Sequence, residues 1–357
     1  MIKLDTAMLQ DMVSKSVKCA GMNKLIPRTS MLEIRQKDNL LTFMTTDTNN
    51  TLYVSKSVSD ASEFYAVVYV EQFAKLIQKL TTDAVTLDIN DAIMTVKANG
   101  TYKIELPLDD EGNVIRFKEQ NSKVDKSVDA HKISLATIQT IVDTCKASLA
   151  VTLENPCYAN YYLSDKVVTS DGTKVCCFDT KFCDKPMLLS PTTIDLLDSF
   201  TDDIEMRVAD NEVLFTSNDC ELYTHVQDDI EEYAIDAIDA FVSEEFTSSC
   251  KVSKSALQTL LERIELFVSD YDNHAITLTF TDEGIDVSSM KSSGVESVAY
   301  TEKTNVVPYT CQIDVVVLIS QIKANKSDTL NIQFGNDKSI KIVDDKITQV
   351  IALMESV

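Results

Sequence analysis

The sequence predicts an α+β chain of three tandem, similar domains, each a doubled strand–helix–strands unit built on antiparallel sheets. Two observations carry this expectation. One opening phrase occurs three times at domain-length spacing, and the segments between helical stretches alternate apolar and polar residues with a period of two.

The phrase reads KLDTAMLQDMV at 3–13, KISLATIQTIV at 132–142 and KVSKSALQTLL at 251–261. Each copy opens on lysine (Lys3, Lys132, Lys251), continues with an aliphatic residue and carries a glutamine seven places on (Gln10, Gln139, Gln258). From Lys3 to Lys132 is 129 residues, from Lys132 to Lys251 is 119, and 107 residues run from Lys251 to Val357. Solenoid repeats span roughly 20 to 50 residues, so this period is that of a domain. Boundaries are expected at 1–124, 125–246 and 247–357.

Each expected domain holds a second short helical pattern, at 69–80, 189–200 and 311–324, followed by two alternating runs joined through Asn and Asp, which favour turns. The unit therefore looks doubled. Between the helices, LEIRQKDNLLTFMTTD sets Leu32 and Ile34 before a Lys37-Asp38-Asn39 turn and Leu41 and Phe43 after it. AITLTFTDEGIDVSS does the same around Asp282-Glu283-Gly284. Such alternation buries one face of an antiparallel sheet, with helices on one side. Only 7 glycines and 6 prolines in 357 residues imply compact units with few long loops.

At 44% hydrophobic the chain can bury ample core. No apolar run approaches the ~20 residues of a membrane helix, and the opening MIKLDT lacks the apolar stretch of a signal peptide. Nine cysteines without a regular framework suit reduced thiols, so a cytoplasmic protein with no membrane partner is expected.

Catalytic chemistry is not indicated. The nearest approach to a metal cluster is CCFDTKFC, with Cys176, Cys177 and Cys183. Structural zinc prefers C-x₂₋₄-C pairs in matching sets, and adjacent thiols on a strand point to opposite faces. His131, His225 and His274 stand in separate contexts, without a nucleophile motif beside them. No G-x-x-x-x-G-K phosphate loop occurs, and LDDEGN at 108–113 lacks the ligand spacing of a calcium loop and reads as a polar connector. Neither an enzyme nor a cofactor is expected.

The net charge of −23 argues against a nucleic-acid partner if it is spread evenly, but it is not. Residues 228–245 hold eight acids and no base, whereas six helical segments (5–20, 70–82, 134–148, 191–203, 253–270 and 311–327) together carry −3 and leave −20 elsewhere. Lys75 and Lys79 stand at i,i+4, and Lys15 with Lys18 and Lys323 with Lys326 at i,i+3, so each pair shares a helix face. Solvated helix faces account for these lysines equally well, and segment 191–203 runs the other way at −4.

Three doubled units, each opening on K-aliphatic and a glutamine, resemble the bacterial-type DNA polymerase sliding clamp, the polymerase III β subunit, over the whole chain. YYLSDKVVTSDGTKV at 161–175 is similar to that family's YYL…ATDGHRLA segment, and the tail DDKITQVIALMESV to its closing YVVMPMRL strand. The match keeps Asp171-Gly172 but has Thr for His, Lys for Arg and Val for Leu, as in a divergent member of the kind a phage encodes.

The resemblance implies a ring: two chains closing head-to-tail as a homodimer around double-stranded DNA, helices lining the hole and strands outside. Its partners would be a DNA polymerase and an ATP-dependent clamp loader, which insert a short peptide into a pocket. Onto that pocket fall Leu163, Ser170, Gly172, Thr173, Lys174, Val175, Ser339, Ile351 and Leu353. An aromatic position of the family is Asn273 here, with Tyr271 nearby, and an asparagine and a tyrosine on the last helix become Asp314 and Val317. For DNA, the resemblance implies Lys24, Lys75 and Lys79, joined by Lys15, Lys18, Lys323 and Lys326 from the helix faces. For the dimer seam it implies Phe267 and Val268 on one side and Tyr102 and Ile104 on the other. Two other classes fit an acidic, strand-rich chain: a DNA mimic, and a structural assembly protein of repeated β domains.

Overall fold

The computed structural model describes residues 1–21, 23, 25–59, 62–117, 123–151, 155–290 and 293–354. One order of elements occurs three times. The first repeat comprises β1 (Ile2–Asp5), α1 (Thr6–Lys18), β2 (Met31–Lys37), β3 (Leu40–Thr46), β4 (Asn50–Ser57), β5 (Phe64–Tyr69), α2 (Val70–Ile77), β6 (Ala84–Asn90), β7 (Ile93–Lys97) and β8 (Thr101–Glu105). The second comprises β9 (His131–Ile133), α3 (Leu135–Thr140), β10 (Tyr161–Leu163), β11 (Val167–Ser170), β12 (Lys174–Phe178), β13 (Met187–Leu189), α4 (Pro191–Leu197), β14 (Ile204–Ala209), β15 (Glu212–Thr216) and β16 (Cys220–His225). After an additional helix, α5 (Ile235–Val242), the third begins with β17 (Ser248–Ser253), α6 (Lys254–Glu265), β18 (Ala275–Phe280), β19 (Gly284–Ser289) and β20 (Val295–Asn305). It ends with β21 (Tyr309–Asp314), α7 (Val315–Ala324), β22 (Thr329–Phe334), β23 (Ser339–Asp344) and β24 (Ile347–Ala352).

Local chemistry explains the elements. Before α1, α6 and α7 the strand ends on the residue that caps the helix: Asp5 Oδ1 accepts from Met8 N at 2.8 Å, and Asp314 Oδ1 from Val316 N at 2.8 Å and Val317 N at 3.1 Å. Ser253 does likewise for Ala256 N at 3.4 Å. The first recurrent glutamine has a task of its own, since Gln10 Nε2 donates to the carbonyls of Ile77 and Leu80 at 3.0 Å and so closes the exit of α2. The expected Asn and Asp turns are left-handed, with Asp38, Asn39, Asp91 and Asp210 at φ of 50, 62, 54 and 54°. The first helix of the second repeat departs from regularity: α3 passes into a π turn, Ile141–Cys145, and a 3₁₀ turn, Lys146–Ser148. Thr140 and Thr144 bond back to the carbonyls of Ala136 and Thr140, at 2.9 and 2.6 Å, which competes with the helical ladder.

The chain forms two compact units, Met1–Leu135 with Asp195–Val226, and Ala136–Ile194 with Gln227–Val357. The first holds an eight-stranded sheet, β5-β2-β3-β4-β16-β15-β14-β9, and a four-stranded one, β1-β6-β7-β8. The second holds one sheet of twelve, β13-β10-β11-β12-β24-β23-β22-β17-β20-β19-β18-β21. All pairs are antiparallel. The units cut across the second repeat because its strands join the neighbouring repeats: Asn50–Val54 of β4 pair with Thr224–Cys220 of β16, and Lys174–Phe178 of β12 with Ile351–Ile347 of β24.

In the first unit α1 packs on α2, with Leu9, Met12, Val13, Phe43 and Phe73 fully buried and the two phenylalanine rings edge-on at 6.5 Å. In the second, α6 and α7 bury Leu257, Leu261, Leu318 and Ile322 against Leu278, Phe280, Phe334 and Ile342, with Phe280 stacked on Phe334 at 3.7 Å. Among the described residues no helix is long and apolar enough to cross a membrane.

Candidate functional site

The nine residues expected to receive a client peptide lie in the second unit on the strands β10-β11-β12-β24-β23 or at their ends. The turn before β12 is built by Asp171. Its Oδ1 accepts from Thr173 N and Lys174 N at 2.8 and 2.9 Å, and its Oδ2 from Lys174 Nζ at 2.7 Å. Burial pushes the Asp171 carboxyl up, but the bonds from Lys174 and Thr173 outweigh it and hold it below the ordinary range. Gly172 takes φ +92°, with open space where a Cβ would stand, so conformation and not crowding calls for glycine there.

Strand pairing sorts the nine between the two faces of the sheet, because directly opposed residues share a face. Ser170 pairs with Val175, Val175 with Val350, and Ala352 with Ser339, so Ser170, Val175 and Ser339 lie together. Ile351 pairs with Lys174 and Ile340 on the other face, where Ile351 is buried under α6 and α7 and Leu353 packs against the same cluster. Leu163, fully buried, also belongs to that face through Val167, Phe178 and Ile347. The expectation of one set is thereby corrected. Val350 and Ala352 are the tail residues beside Val175, while Leu163, Ile351 and Leu353 are core.

The Val175 face is partly covered by the segment after β16. Tyr233 and Ile238 bury against Tyr162, Val168, Val175 and Leu188, and Tyr233 donates to the Val168 carbonyl at 3.2 Å. Burial drives the Tyr233 phenol well up from its ordinary value. The acids of 228–245 are anchored at two points, Lys166 to Asp239 at 2.5 Å and Lys338 to Glu244 at 2.6 Å. The Ser339 hydroxyl on this face is buried and, among the described residues, has no hydrogen-bond partner. On β12, Cys176 turns to Cys145, 3.8 Å between sulfurs, and Cys177 packs on the opposite face, so the adjacent thiols diverge.

The lysines proposed for DNA differ among themselves. Lys24 lies outside the described residues. Lys15 is buried, its Nζ 2.7 Å from Asp219 Oδ2 and 3.3 Å from Asp11 Oδ2, and so leaves the set of surface cations. Lys75, Lys323 and Lys326 are exposed but paired with Glu71, Glu262 and Asp143 at 2.5, 3.0 and 2.9 Å. Lys18 and Lys79 are exposed and, among the described residues, carry no ion pair.

Asp219 also takes Lys56 at 2.6 Å. Burial pushes its carboxyl up, but the two lysines outweigh that and bring it to about 2. A carboxylate depressed below its ordinary ~3.9 contributes stability that is present above about pH 4 and lost as pH falls towards 2. Asp219→Asn is therefore expected to cost about 1.5–3 kcal/mol at neutral pH. In parallel thermal melts its deficit against the wild type should shrink between pH 4 and pH 2, and a deficit constant across that window would overturn the assignment.

Among the open strand edges of the described residues, those of β8 and of the first part of β20 carry the seam residues. β8 ends the four-stranded sheet, with Ile104 buried and Tyr102 37% exposed. In β20 the first residues, Val295–Ala299, pair with β19 alone, and β17 takes over only from Tyr300. Beside that edge Leu266 is 81% and Phe267 52% exposed, while Val268 is partly buried against the core. The Phe267 ring lies over Gly294, where a Cβ would stand 2.9 Å from it. Arg263 holds Glu296 with two bonds, Nε to Oε1 at 2.7 Å and Nη2 to Oε2 at 2.5 Å.

This fold is that of DNA polymerase III beta subunits. The chain superposes on the DNA polymerase III beta chain of Streptococcus pneumoniae with a TM-score of 0.85, covering 99% of each chain at 15% identity. The DNA polymerase sliding clamp of Bacillus subtilis gives 0.85 over 99% of each chain at 12% identity, and the beta subunit of Thermotoga maritima 0.83 over 100% of this chain and 99% of its own at 14%. No protein-family model matches the sequence, and no curated protein matches it.

Proposed function

We propose that the protein is a DNA sliding clamp, a processivity factor whose two copies close head-to-tail around double-stranded DNA in the cytoplasm and tether a polymerase. The carrying observation is a junction made twice and left open once. The fourth strand of the first repeat pairs with the eighth strand of the second, and the fourth of the second with the eighth of the third. The fourth strand of the third, β20, and the eighth of the first, β8, keep free edges. Open edges invite pairing, and a head-to-tail contact that closes gives a ring. On this reading the domains are 1–124, 125–246 and 247–357, and an ATP-dependent loader opens the ring.

The junctions within the chain support one register for the proposed seam. Asn50 and Lys174 close the turns before their strands, accepting from Asp47 N at 3.1 Å and Asp171 N at 3.3 Å, and four residues on Val54 and Phe178 meet Cys220 and Ile347. Gly294 closes the corresponding turn before β20, accepting from Ser289 N at 3.0 Å, and Gly100 that before β8, accepting from Ala98 N at 2.9 Å. Gly294–Val298 then run against Ile104–Gly100 of a second copy. Ile104 arrives at Gly294, beneath Phe267, and Tyr102 faces Glu296. The client surface is the Val175, Val350 and Ala352 face, flanked by the 170–174 turn. A dimer at −46, two chains of −23, binds naked DNA weakly and holds it by enclosure, with Lys18 and Lys79 as the unpaired cations proposed to face it.

One experiment tests register and enclosure together. Val295 and Lys103 are opposed across the proposed seam, and directly opposed strand residues stand within disulfide reach. Val295→Cys with Lys103→Cys, loaded on nicked circular DNA and then oxidised, should give a dimer that stays on the circle through denaturant and is released by linearisation. A cross-link that never forms removes the register, and equal release from circle and line removes the encirclement.

A further inference from the structure

We propose that a cleft at the end of the β2–β5 ribbon is a second binding site, one that takes a short acidic peptide segment of a partner protein. The cleft has a volume of about 510 Å³ and is lined by Arg35, Lys37 and Arg116 against the single acid Glu63, in a chain of net charge −23. Its remaining walls include Phe64, Tyr65 and Ile89. Arg35 and Lys37 alternate along β2, and Tyr65 is the cross-strand partner of Arg35, so the three share a face.

Two of the three cations, Arg116 and Arg35, are held in place. The Arg116 guanidinium lies over the Tyr65 ring, 4.9 Å from its centroid. Tyr65 is fixed in turn, its hydroxyl accepting from Phe117 N at 2.8 Å and donating to Glu33 Oε2 at 3.2 Å. Stacking restrains the guanidinium plane and leaves its N–H edges for an anion. Arg35 Nε stands 3.6 Å from Glu33 Oε1. Lys37 and Arg116 are exposed and, among the described residues, neither is ion-paired.

Shape and charge select the ligand. The cleft exceeds what a lone phosphate or sulfate fills and falls in the range of organic ligands. Its apolar walls ask for a side chain beside the carboxylate. A nucleic-acid strand suits it poorly, because Phe64 is buried and the Tyr65 face is already covered by Arg116, leaving no platform for a base. A strand would also extend its phosphates beyond the cleft over a chain of net charge −23, whereas a short acidic segment confines its charge within it. Elsewhere the acidic surface repels such a partner, which fixes where it docks.

The site does not depend on ring closure or on DNA, and its test uses neither. A short fluorescent peptide rich in aspartate and glutamate, with one leucine and one phenylalanine, is titrated with the full chain and followed by anisotropy. Binding that weakens with salt and falls about tenfold or more in Lys37→Glu/Arg116→Glu is expected. Lys37→Ala/Arg116→Ala, which adds no charge, should show a smaller loss in the same direction. Absence of binding, or equal affinity in wild type and both variants, overturns the site. Displacement by a single-stranded oligonucleotide at lower concentration than by unlabelled peptide overturns the choice of ligand.

Discussion

Phe267→Glu is expected to turn the proposed dimer into a folded monomer. Phe267 is 52% exposed in the single chain and lies over Gly294, where Ile104 of a second copy is proposed to arrive. A carboxylate enclosed there would lack a partner, at a cost of about 3–5 kcal/mol per seam, which is a hundredfold or more in affinity. The free chain loses little, because the ring is not part of its core. Sedimentation should report a mass near 39.7 kDa with unchanged circular dichroism, and retention on circular DNA should vanish. Val268→Glu is a poorer probe, since Val268 packs on the α6–α7 core and its loss mixes unfolding with dissociation. A Phe267→Glu protein that remains dimeric would move the seam away from β20.

Ile351→Ala should act on stability and leave client binding intact. Ile351 is buried among Leu257, Leu318, Ile340 and their neighbours, and truncating such a side chain costs about 2–5 kcal/mol. Ala352→Glu should do the reverse. Ala352 is half-buried on the Val175 face, where a charge opposes an apolar anchor worth about 1.5–3 kcal/mol, so peptide affinity should fall about tenfold or more with little change in melting. Thermal unfolding and peptide titration on both variants separate the two roles. Loss of affinity in folded Ile351→Ala, with none in Ala352→Glu, would return the client surface to the opposite face.

That exchange of neighbours shows where the sequence was readable. The three opening phrases, the period-two runs and the Asn and Asp turns became α1, α3 and α6, the antiparallel sheets and the left-handed residues Asn39, Asp91 and Asp210. A strand covered on one side declares its faces by alternation, but β24 is buried on both, and ITQVIA reads as apolar at Ile347, Val350 and Ile351 alike. Only its pairing with β12 tells Val350 from Ile351. Lys15 was misread for a different reason. Its i,i+3 relation to Lys18 is local, whereas Asp219, which draws it inside, lies 204 residues away. In 228–245 the eight acids concealed the two residues that bury, Tyr233 and Ile238, because charge density masks a sparse apolar stripe.

The junctions within the chain and the proposed one between copies share a five-residue ladder but not the same dependence on concentration. β4 and β16 are tied by the intervening polypeptide, as are β12 and β24. A tied junction that parts is returned at an effective concentration of about millimolar, however dilute the protein. β20 and β8 of separate copies have no such tether and meet again only at the concentration of the protein itself. In the proposed ring each copy would contribute permanent joints and a single latch, and dilution, heat and a loader would all act on that latch. Fusing two copies end to end would turn one latch into a tethered joint and leave the other as the sole gate for DNA.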